Sequence, residues 1–285
     1  MISPSVATSA RVSELLEWTP QSWTQAKRGY TPAERYVVRD GRRSAFVKIA
    51  TTPLTAAMLR QERVAYEAVN DAFRPKLLGW HDGELPIIIL DDLSQAYWPP
   101  PWRDEHVAQA IAQIDALHTS RAALPSYDEL RDARETGWQL VARDRAPFLA
   151  LGVVSANWLD RSLPHLLDAE AACSTQGEAV THWDIRSDNM CFVDRHVKFI
   201  DWSEACLSNP RLDLGFWLPS LCFEGGPPPE AILPDAAEIA AWVSGYFAAR
   251  AGLPDIPDAP LVRRVQREQL STALPWVIRA LGLPR

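Results

Sequence analysis

The residues best suited to chemistry lie in one stretch, 181–202, with the sequence THWDIRSDNMCFVDRHVKFIDW. Asn189 follows Asp184 by five residues, and Asp201 follows Asn189 by twelve, directly before Trp202. Carboxylate and amide oxygens are ligands for divalent cations, and a carboxylate also accepts protons. The spacing therefore indicates either a small polar site or a turn that Asp and Asn merely cap.

A calcium-binding loop also uses alternating Asp and Asn. Such loops place a glycine and further oxygen ligands where this chain has the apolar run MCFV, residues 190–193. The runs CFV and VKFI, separated by DRH, instead predict a β-hairpin that returns Asp201 to the site.

A lysine and a glutamate in the first third form a second candidate pair. Lys48 lies in the apolar run FVKIA and would share a strand face with Phe46 and Ala50. At about 100° per residue, Glu62 falls in the apolar face of a predicted helix, where an unpaired carboxylate is costly to bury. We expect Glu62 to pair with Lys48. The alternative is that Lys48 extends to solvent and Glu62 lies at a groove edge.

The elements that must position this pair follow a β–β–α–β order. The runs RYVV and SAFVKIA, joined by DGRR, predict a hairpin, and ELPIIIL predicts a strand ending at Asp91-Asp92. Between them, Thr52 and Pro53 are placed as the N-cap and first residue of a helix. The first third is therefore predicted to be a small α+β lobe.

Length, composition and charge narrow the class of protein. The chain has 285 residues, of which 47% are hydrophobic and 23% charged, ordinary values for a globular protein with a large core. A net charge of −7 argues against a nucleic-acid partner, because nucleic-acid-binding proteins usually have a basic face. No signal peptide or apolar run of about 18 residues is seen, so no membrane partner is expected.

The four cysteines lie far apart, without a C-x-x-C motif. In a chain of this length they are typical of reduced thiols in a cytoplasmic protein. The six histidines show no zinc-ligand spacing.

The motifs HWDIRSDN and FIDW resemble those of the aminoglycoside phosphotransferase and choline kinase-like family, usually written H-G-D-x-x-x-x-N and I-D-W. NPRLDLG is similar to the family's D-P-x-x-D-L-A, and IIILDDL to its linker between lobes. Lys48 and Glu62 match the family's strand lysine and helix glutamate, so the resemblance covers most of the chain. Two departures stand out: the glycine-rich loop is reduced to Gly29, and Trp183 replaces the glycine before Asp184.

The resemblance implies an α+β, two-lobed protein-kinase-like fold. Residues 1–93 would form a small, β-rich N-terminal lobe that binds the nucleotide. Residues 94–285 would form a larger, mainly helical lobe with the catalytic loop and the acceptor pocket. The implied cofactors are ATP and Mg²⁺.

The resemblance also implies roles for the polar residues of the stretch 181–202. Asp184 would accept the proton of the acceptor hydroxyl, and Asn189 and Asp201 would hold Mg²⁺. Arg186 would steady the transferring phosphate, or would instead pair with Asp188 at the surface.

The same resemblance places a nucleotide in the first lobe. The lysine–glutamate pair would align its α- and β-phosphates, with loop contacts from the residues after Gly29, and the adenine would lie near the linker. The nucleotide-binding residues expected in this way are Tyr30, Thr31, Phe46, Lys48, Glu62, Asp91 and Leu93.

Three further polar residues are expected to support the structure. His182 would prop the catalytic loop by hydrogen bonding, Asp213 would anchor that loop, and His118 would pack in the core.

The expected activity is transfer of the γ-phosphate of ATP to a small-molecule hydroxyl acceptor. The favoured role is an antibiotic kinase that confers resistance, with an aminoglycoside-like acceptor. A metabolic sugar or amino-alcohol kinase is the enzymatic alternative, and a nucleotide-binding pseudokinase the non-enzymatic one. The protein is expected to be a cytoplasmic monomer or weak dimer. A polycationic antibiotic would be attracted by the acids Glu224, Glu230, Asp235 and Glu238.

Overall fold

A computed structural model describes residues 4–26, 29, 31–131, 136–257 and 259–284. Its internal contacts divide the chain into two compact units. The first comprises Met1–Pro99, Arg121–Leu124 and Asp188–Ala205, and the second comprises Pro100–Ser120, Pro125–Ser187 and Cys206–Arg285. The lobe boundary expected at residue 93 stays a prediction.

Helices and strands are numbered in chain order. The helices are α1 (Val6–Leu16), α2 (Pro53–Ala68), α3 (Asp104–Thr119), α4 (Tyr127–Leu130), α5 (Gly137–Arg143), α6 (Ala146–Leu149), α7 (Ala156–Ala171), α8 (Pro210–Phe223), α9 (Pro229–Ile232), α10 (Ala237–Ala251) and α11 (Leu261–Ala280). The strands are β1 (Ser22–Gln25), β2 (Glu34–Arg39), β3 (Ser44–Ile49), β4 (Leu77–His81), β5 (Ile87–Asp91), β6 (Ala179–Thr181), β7 (Met190–Val193), β8 (His196–Phe199) and β9 (Cys206–Ser208). Short 3-10 turns span Ser187–Asn189 and Trp202–Glu204.

The first unit is built on an antiparallel sheet with the strand order β1-β2-β3-β5-β4. The predicted β–β–α–β order is present as β2, β3, α2 and β5, whereas α1, β1 and β4 were not predicted. The hairpin between β2 and β3 turns through residues 40–43, because its register pairs Arg39 with Ser44. The carboxylate of Asp40 accepts hydrogen bonds from the N–H groups of Arg42 and Arg43, which fixes the turn.

The two faces of this sheet differ in chemistry. One face is the core of the unit, where α1 packs, and its buried residues are Val12, Tyr36, Val38, Ala45, Val47, Ile49, Ile87 and Ile89. Side chains alternate along a strand, so the opposite face carries Arg35 and Lys48, which pair across β2 and β3. The sheet therefore has the hydrophobic core on one face and buried charged side chains on the other.

Helix α2 begins where the sequence predicts. The side chain of Thr52 accepts a hydrogen bond from the N–H of Thr55, and Pro53 is the first helical residue. Glu62 lies on the buried side of this helix with only 1% of its surface exposed. The helix therefore delivers one carboxylate into the interior of the unit.

The hairpin predicted after the catalytic motif is formed by β7 and β8. Its register pairs Met190 with Phe199 and Val193 with His196, so two residues make the turn. The hairpin is joined to the rest of the first unit by a hydrogen bond from the N–H of Phe199 to the carbonyl of Phe73, at 2.8 Å.

Helix packing in the second unit depends on a contact between two glycines. A Cβ atom at Gly137 of α5 would lie 1.9 Å from the carbonyl carbon of Gly245 on α10. Only glycine permits such an approach of two helix backbones. The buried carboxylate of Glu170 on α7 accepts hydrogen bonds from the Trp138 N–H at 3.0 Å and the Thr136 hydroxyl at 2.5 Å. This negative charge at the start of α5 stabilises the helix.

The four cysteines are free thiols, as expected. Within the described residues, no helix combines the length and the apolar character that a membrane span requires.

Candidate active site

Lys48 joins two carboxylates in the first unit. Its Nζ lies 2.7 Å from Oε2 of Glu62 and 3.1 Å from Oδ1 of Asp201. The side chains of Lys48 and Glu62 are almost fully buried, whereas 28% of the Asp201 side chain is exposed. The pairing expected from the helix pattern is therefore present, and Asp201 joins it as a second partner that faces solvent.

The charges of this cluster depend on one another. Burial opposes the positive charge of Lys48, but the carboxylates of Asp201 and Glu62 outweigh it, so the pKa of Lys48 is raised. Burial also raises the pKa of Glu62, and the ammonium group of Lys48 acts against that rise. Lys48 is thus held in its charged form by its two neighbours.

Arg35 is a fourth charge in this cluster, and the sequence analysis did not identify it. Burial lowers the pKa of Arg35, whereas Asp201 and Glu62 act to raise it. The predicted hairpin could have indicated that Arg35 lies near Lys48, because a register that pairs residue 35 with residue 48 puts both side chains on one face. The cluster as a whole holds two cations and two carboxylates.

The β7–β8 hairpin brings the two expected metal ligands to its open end. Asn189 directly precedes β7, and the N–H of Ile200, which follows β8, donates to the carbonyl of Asn189 at 2.9 Å. Asp201 comes next and has a φ of 63°, a left-handed conformation that Asp adopts more readily than most residues. The open end of the hairpin thus carries the side-chain amide of Asn189 and the carboxylate of Asp201.

This donor set fits a magnesium–nucleotide complex. Among the described residues, His, Cys, Asp and Glu side chains form no group of three or more that could hold a metal ion. Mg²⁺ bound to a nucleotide does not require such a group, since one or two carboxylates and the phosphates usually hold it. The oxygens of Asn189 and Asp201 are the hard ligands that Mg²⁺ prefers.

In the second unit, Asp213 of α8 holds the loop that carries Asp184. This fully buried carboxylate accepts hydrogen bonds from the N–H of His182 at 2.8 Å and the N–H of Trp183 at 2.7 Å. Its Oδ2 also lies 3.0 Å from Nε2 of His118. The anchoring expected of Asp213 is present, and His118, with 9% of its side chain exposed, contributes to it.

The expected catalytic residues Asp184 and Arg186 are close together. Nε of Arg186 lies 3.6 Å from Oδ1 of Asp184. The side chain of Asp184 is 36% exposed and that of Arg186 17%. The Asp184 N–H donates to Nδ1 of His182 at 3.3 Å, which agrees with the expected support from that histidine. Asp184 therefore combines a fixed backbone with an accessible carboxylate.

Trp183 has a backbone conformation that favours glycine. Its φ is 64°, and this explains why the family pattern usually has glycine here. The indole N–H donates to Oγ of Ser208 at 2.7 Å, and the ring lies 4.7 Å from that of Tyr127. The guanidinium of Arg131 lies over the same indole, 5.0 Å from its centre. These contacts fix the side chain of Trp183, the residue directly before Asp184.

Helix α10 adds further aromatic rings near Trp183, which sequence reasoning did not identify. The ring of Trp242 lies 5.7 Å from Trp183 and stacks on Tyr246 at 6.5 Å. Cζ of Arg250 lies 4.0 Å above the ring of Tyr246. Guanidinium groups therefore cover part of this aromatic surface.

The expected nucleotide residues outside the charged cluster lie on or near the same sheet. Phe46 is half-buried on β3, on the same face as Lys48. Thr31 accepts hydrogen bonds from Arg35 through both its carbonyl and its hydroxyl. Tyr30 lies outside the described residues.

The two expected linker residues already make hydrogen bonds within the unit. The N–H of Asp91 donates to the carbonyl of Lys76 at 3.1 Å, and its carboxylate accepts from the N–H of the same lysine. The carbonyl of Leu93 accepts from the indole N–H of Trp98 at 3.2 Å. The linker backbone is thus fixed, and its contact with adenine stays a prediction.

Two of the four acids expected to attract a polycation form ion pairs with arginines. Glu230 lies 2.5 Å from Arg279, and Glu238 lies 2.5 Å from Arg211. These arginines reduce the negative potential that the acids present to solvent.

Comparison with known proteins identifies the family of this chain. The model of the family described as Phosphotransferase enzyme family, APH, matches residues 22–253. No curated protein matches the sequence.

Several solved structures share the fold. One is a thermostable mutant of aminoglycoside phosphotransferase APH(4)-Ia in a ternary complex with ADP and hygromycin B, at 14% identity and a TM-score of 0.60, covering 97% of this chain and 98% of that one. Another is a choline/ethanolamine kinase family protein from Mesorhizobium loti, at 14% identity and a TM-score of 0.57, covering 98% and 99%. A third is the amicoumacin kinase hAmiN with AMP-PNP, Ca²⁺ and Ami, at 10% identity and a TM-score of 0.55, covering 94% of each chain. The α+β, protein-kinase-like fold expected from the sequence is confirmed.

Proposed function

Because the chain belongs to the Phosphotransferase enzyme family and is a small-molecule kinase that uses ATP, we propose that it phosphorylates a hydroxyl group of an antibiotic and thereby confers resistance. The observation that carries the phosphoryl-transfer part of the proposal is the buried Lys48–Glu62 pair with Asp201 beside it, since phosphoryl transfer is catalysed mainly by positioning and charge. Structures of similar fold with hygromycin B or Ami bound support an antibiotic acceptor.

In this proposal the first unit binds and orients the nucleotide. Glu62 holds the ammonium group of Lys48, which contacts the α- and β-phosphates and keeps them in one orientation. The half-buried ring of Phe46, on the same sheet face, packs against the adenine. The burial of Lys48 strengthens its interaction with the phosphates, because water screens buried charges less.

Asn189 and Asp201 would hold Mg²⁺. When bound, the ion neutralises charge on the phosphates during transfer. Asp201 would have to exchange its contact with Lys48 for that role, and its exposed side chain permits such a movement.

Asp184 is the proposed base. Its carboxylate accepts the proton of the acceptor hydroxyl as the new oxygen–phosphorus bond forms, and the bond between the γ-phosphorus and the bridging oxygen of ADP breaks. The backbone bonds to Asp213 fix the loop, so little ordering is needed when the acceptor binds. Nε of Arg186 lies 3.6 Å from Asp184, and in this proposal its guanidinium steadies the transferring phosphate.

A metabolic sugar or amino-alcohol kinase is the second candidate. The similarity to a choline/ethanolamine kinase family structure favours it. The two candidates differ only in the acceptor, so they make the same prediction for the nucleotide site.

We further propose that the enzyme works in the cytoplasm as a monomer or weak dimer. Its four free thiols suit a reducing compartment, where ATP is also supplied. Light scattering at two protein concentrations tests the oligomeric state.

An ADP-release assay with Mg-ATP and a panel of acceptors tests the function. The panel holds aminoglycosides, other hydroxyl-bearing antibiotics, simple sugars, choline and ethanolamine. Turnover with an antibiotic at a kcat/KM well above that for any sugar or amino alcohol supports the resistance role. The reverse order selects the metabolic kinase. Absence of turnover with every acceptor, together with absence of binding to AMP-PNP, would contradict the kinase assignment.

A further inference from the structure

Arg35 binds the backbone segment that precedes β2. Its Nη1 donates to the carbonyl of Ala33 at 2.7 Å and to the carbonyl of Thr31 at 3.1 Å. Its Nη2 donates to the hydroxyl of Thr31 at 2.7 Å. One planar guanidinium thus holds three acceptors of this segment at once, which a lysine could not do with the same geometry.

The same segment is shaped around the guanidinium. A Cβ atom at Gly29 would lie 2.5 Å from Cζ of Arg35, and Gly29 has a φ of 106°, so a side chain is excluded there on both grounds. From the other side, the hydroxyl of Thr51 donates to the carbonyl of Pro32 at 2.9 Å. Thr31, Pro32 and Ala33 each accept a hydrogen bond from a side chain, although the chain has only Gly29 where the family pattern it resembles is glycine-rich.

The position of Arg35 also matters for charge. It lies opposite Lys48 on the same face of the sheet, with 9% of its surface exposed. Burying an arginine is unfavourable unless it has partners, and its hydrogen bonds to neutral acceptors leave its positive charge in place. That charge joins the charge of Lys48 and, with it, offsets the carboxylates of Glu62 and Asp201 on the face where the proposed function requires phosphates.

We propose that Arg35 is a positioning residue of the nucleotide site, which holds Thr31 and Ala33 beside Lys48 and adds a second positive charge for a nucleoside di- or triphosphate. The inference rests on the proposed ATP-dependent function and extends it, because it assigns recognition of the phosphates to this arginine in place of a glycine-rich loop. The affinity gained in this way depends on the number of phosphates in the ligand and does not depend on its base or ribose.

Calorimetry with AMP-PNP, ADP, AMP and adenosine tests the proposal on the full chain. In Arg35→Gln the Kd for AMP-PNP and ADP should rise about tenfold or more, since charge-assisted contacts are lost, while the Kd for adenosine changes less than about twofold. Arg35→Lys should recover only part of the affinity, because it keeps the charge and loses the fork of hydrogen bonds. The KM for ATP should rise while the KM for the acceptor stays the same.

Arg60→Gln is the matched control. Arg60 also binds a backbone carbonyl, that of Gly83, but lies on the exposed side of α2, so AMP-PNP affinity should not change. If Arg35→Gln does not fold, the Thr31→Val variant tests the proposal instead, since it removes the hydroxyl acceptor of Arg35 and keeps every charge. It should weaken AMP-PNP binding and leave adenosine binding unchanged.

Unchanged AMP-PNP affinity in the folded variants would overturn the proposal, and so would equal losses for AMP-PNP and adenosine. If the wild-type protein itself bound no AMP-PNP, the proposed function would be wrong and this inference with it. A wild type that binds AMP-PNP beside an Arg35→Gln variant that binds it equally well would contradict the inference alone.

Discussion

Nζ of Lys48 lies 3.1 Å from Oδ1 of Asp201, although the two positions are 153 apart in the sequence. The strand β3 supplies the lysine, and the residue that follows the β7–β8 hairpin supplies the carboxylate. Glu62 completes the arrangement at 2.7 Å. Because the two carboxylates share one ammonium group, a substitution at any of the three residues changes the environment of the other two.

Lys48→Ala should abolish turnover and make stability depend on pH. Without the ammonium group, the raised pKa of Glu62 rises further, because burial is no longer opposed. A carboxyl whose folded pKa lies above its unfolded pKa stabilises the fold at low pH, and this contribution is lost as the pH rises. Relative to wild type, the free energy of unfolding should fall by about 3–5 kcal/mol at pH 8 and by less at pH 5.

Urea unfolding at the two pH values measures that change, and ADP release measures turnover. Glu62→Gln should reduce activity less than Lys48→Ala, because the lysine keeps its charge and loses only its position. Wild-type turnover in Lys48→Ala would show that the strand has been assigned the wrong role.

Asp184→Asn and Asp201→Asn should separate chemistry from nucleotide binding. Asp184→Asn keeps the size and hydrogen bonding of the side chain but removes the base, so turnover should fall about 10²-fold or more while Mg-ATP binding is retained. Asp201→Asn removes a charge from the proposed magnesium site, so turnover and Mg²⁺-dependent affinity should both fall. Calorimetry with AMP-PNP at several Mg²⁺ concentrations and an ADP-release assay measure both effects. The opposite pattern would mean that the roles are misassigned.

Gly137→Ala should destabilise the second unit by steric overlap. The added methyl group would meet the backbone of Gly245, which cannot rotate away, so we expect a cost of about 1–3 kcal/mol or more. Gly282→Ala is the control, because its Cβ would meet nothing within 4 Å and only its φ of 61° opposes a side chain. That conformational cost is about 1–2 kcal/mol. Equal melting temperatures for Gly137→Ala and wild type would contradict the close contact.

Cys173 should be unreactive in the folded protein. Burial raises its pKa to about 12 from the ordinary value of 9.0. At pH 8 the folded chain therefore has about a thousandfold less thiolate at this position than the unfolded chain. Alkylation by iodoacetamide, followed by mass spectrometry, should be slow in buffer and fast in urea. Equal rates in the two conditions would mean that the thiol is exposed.

The same pKa predicts a loss of stability in alkaline solution. The stability that this thiol contributes is present below about pH 9 and is lost as the pH rises toward 12. Cys173→Ser should remove that part of the pH dependence.

The parts of the fold that could be predicted are those with a strong local pattern. Thr52 and Pro53 marked the start of α2, and the apolar runs around DRH marked the β7–β8 hairpin. Helix α1 was not predicted, because its sequence VATSARVSELL contains small and polar residues and buries only Val12. Its place against the sheet is decided by tertiary packing.

Individual site residues also differed in whether the sequence could predict them, for a similar reason. The Lys48–Glu62 contact could be predicted, because a carboxylate in an apolar helix face requires a partner. The contribution of Arg35 depends on strand register, and that of Trp242 and Tyr246 depends on the packing of α10. Neither is visible in the residue order alone.

The glycine contact between α5 and α10 and the aromatic contact of α10 with Trp183 involve different residues of the same helix. Gly245 lies against Gly137 and Trp138, whereas Trp242 on the same helix lies against Trp183. Replacing Trp242 therefore alters the surroundings of Trp183 while both glycines of the helix contact are kept. A combinatorial library randomised at position 242, with both glycines retained, would test whether the ring beside Trp183 influences the choice of acceptor.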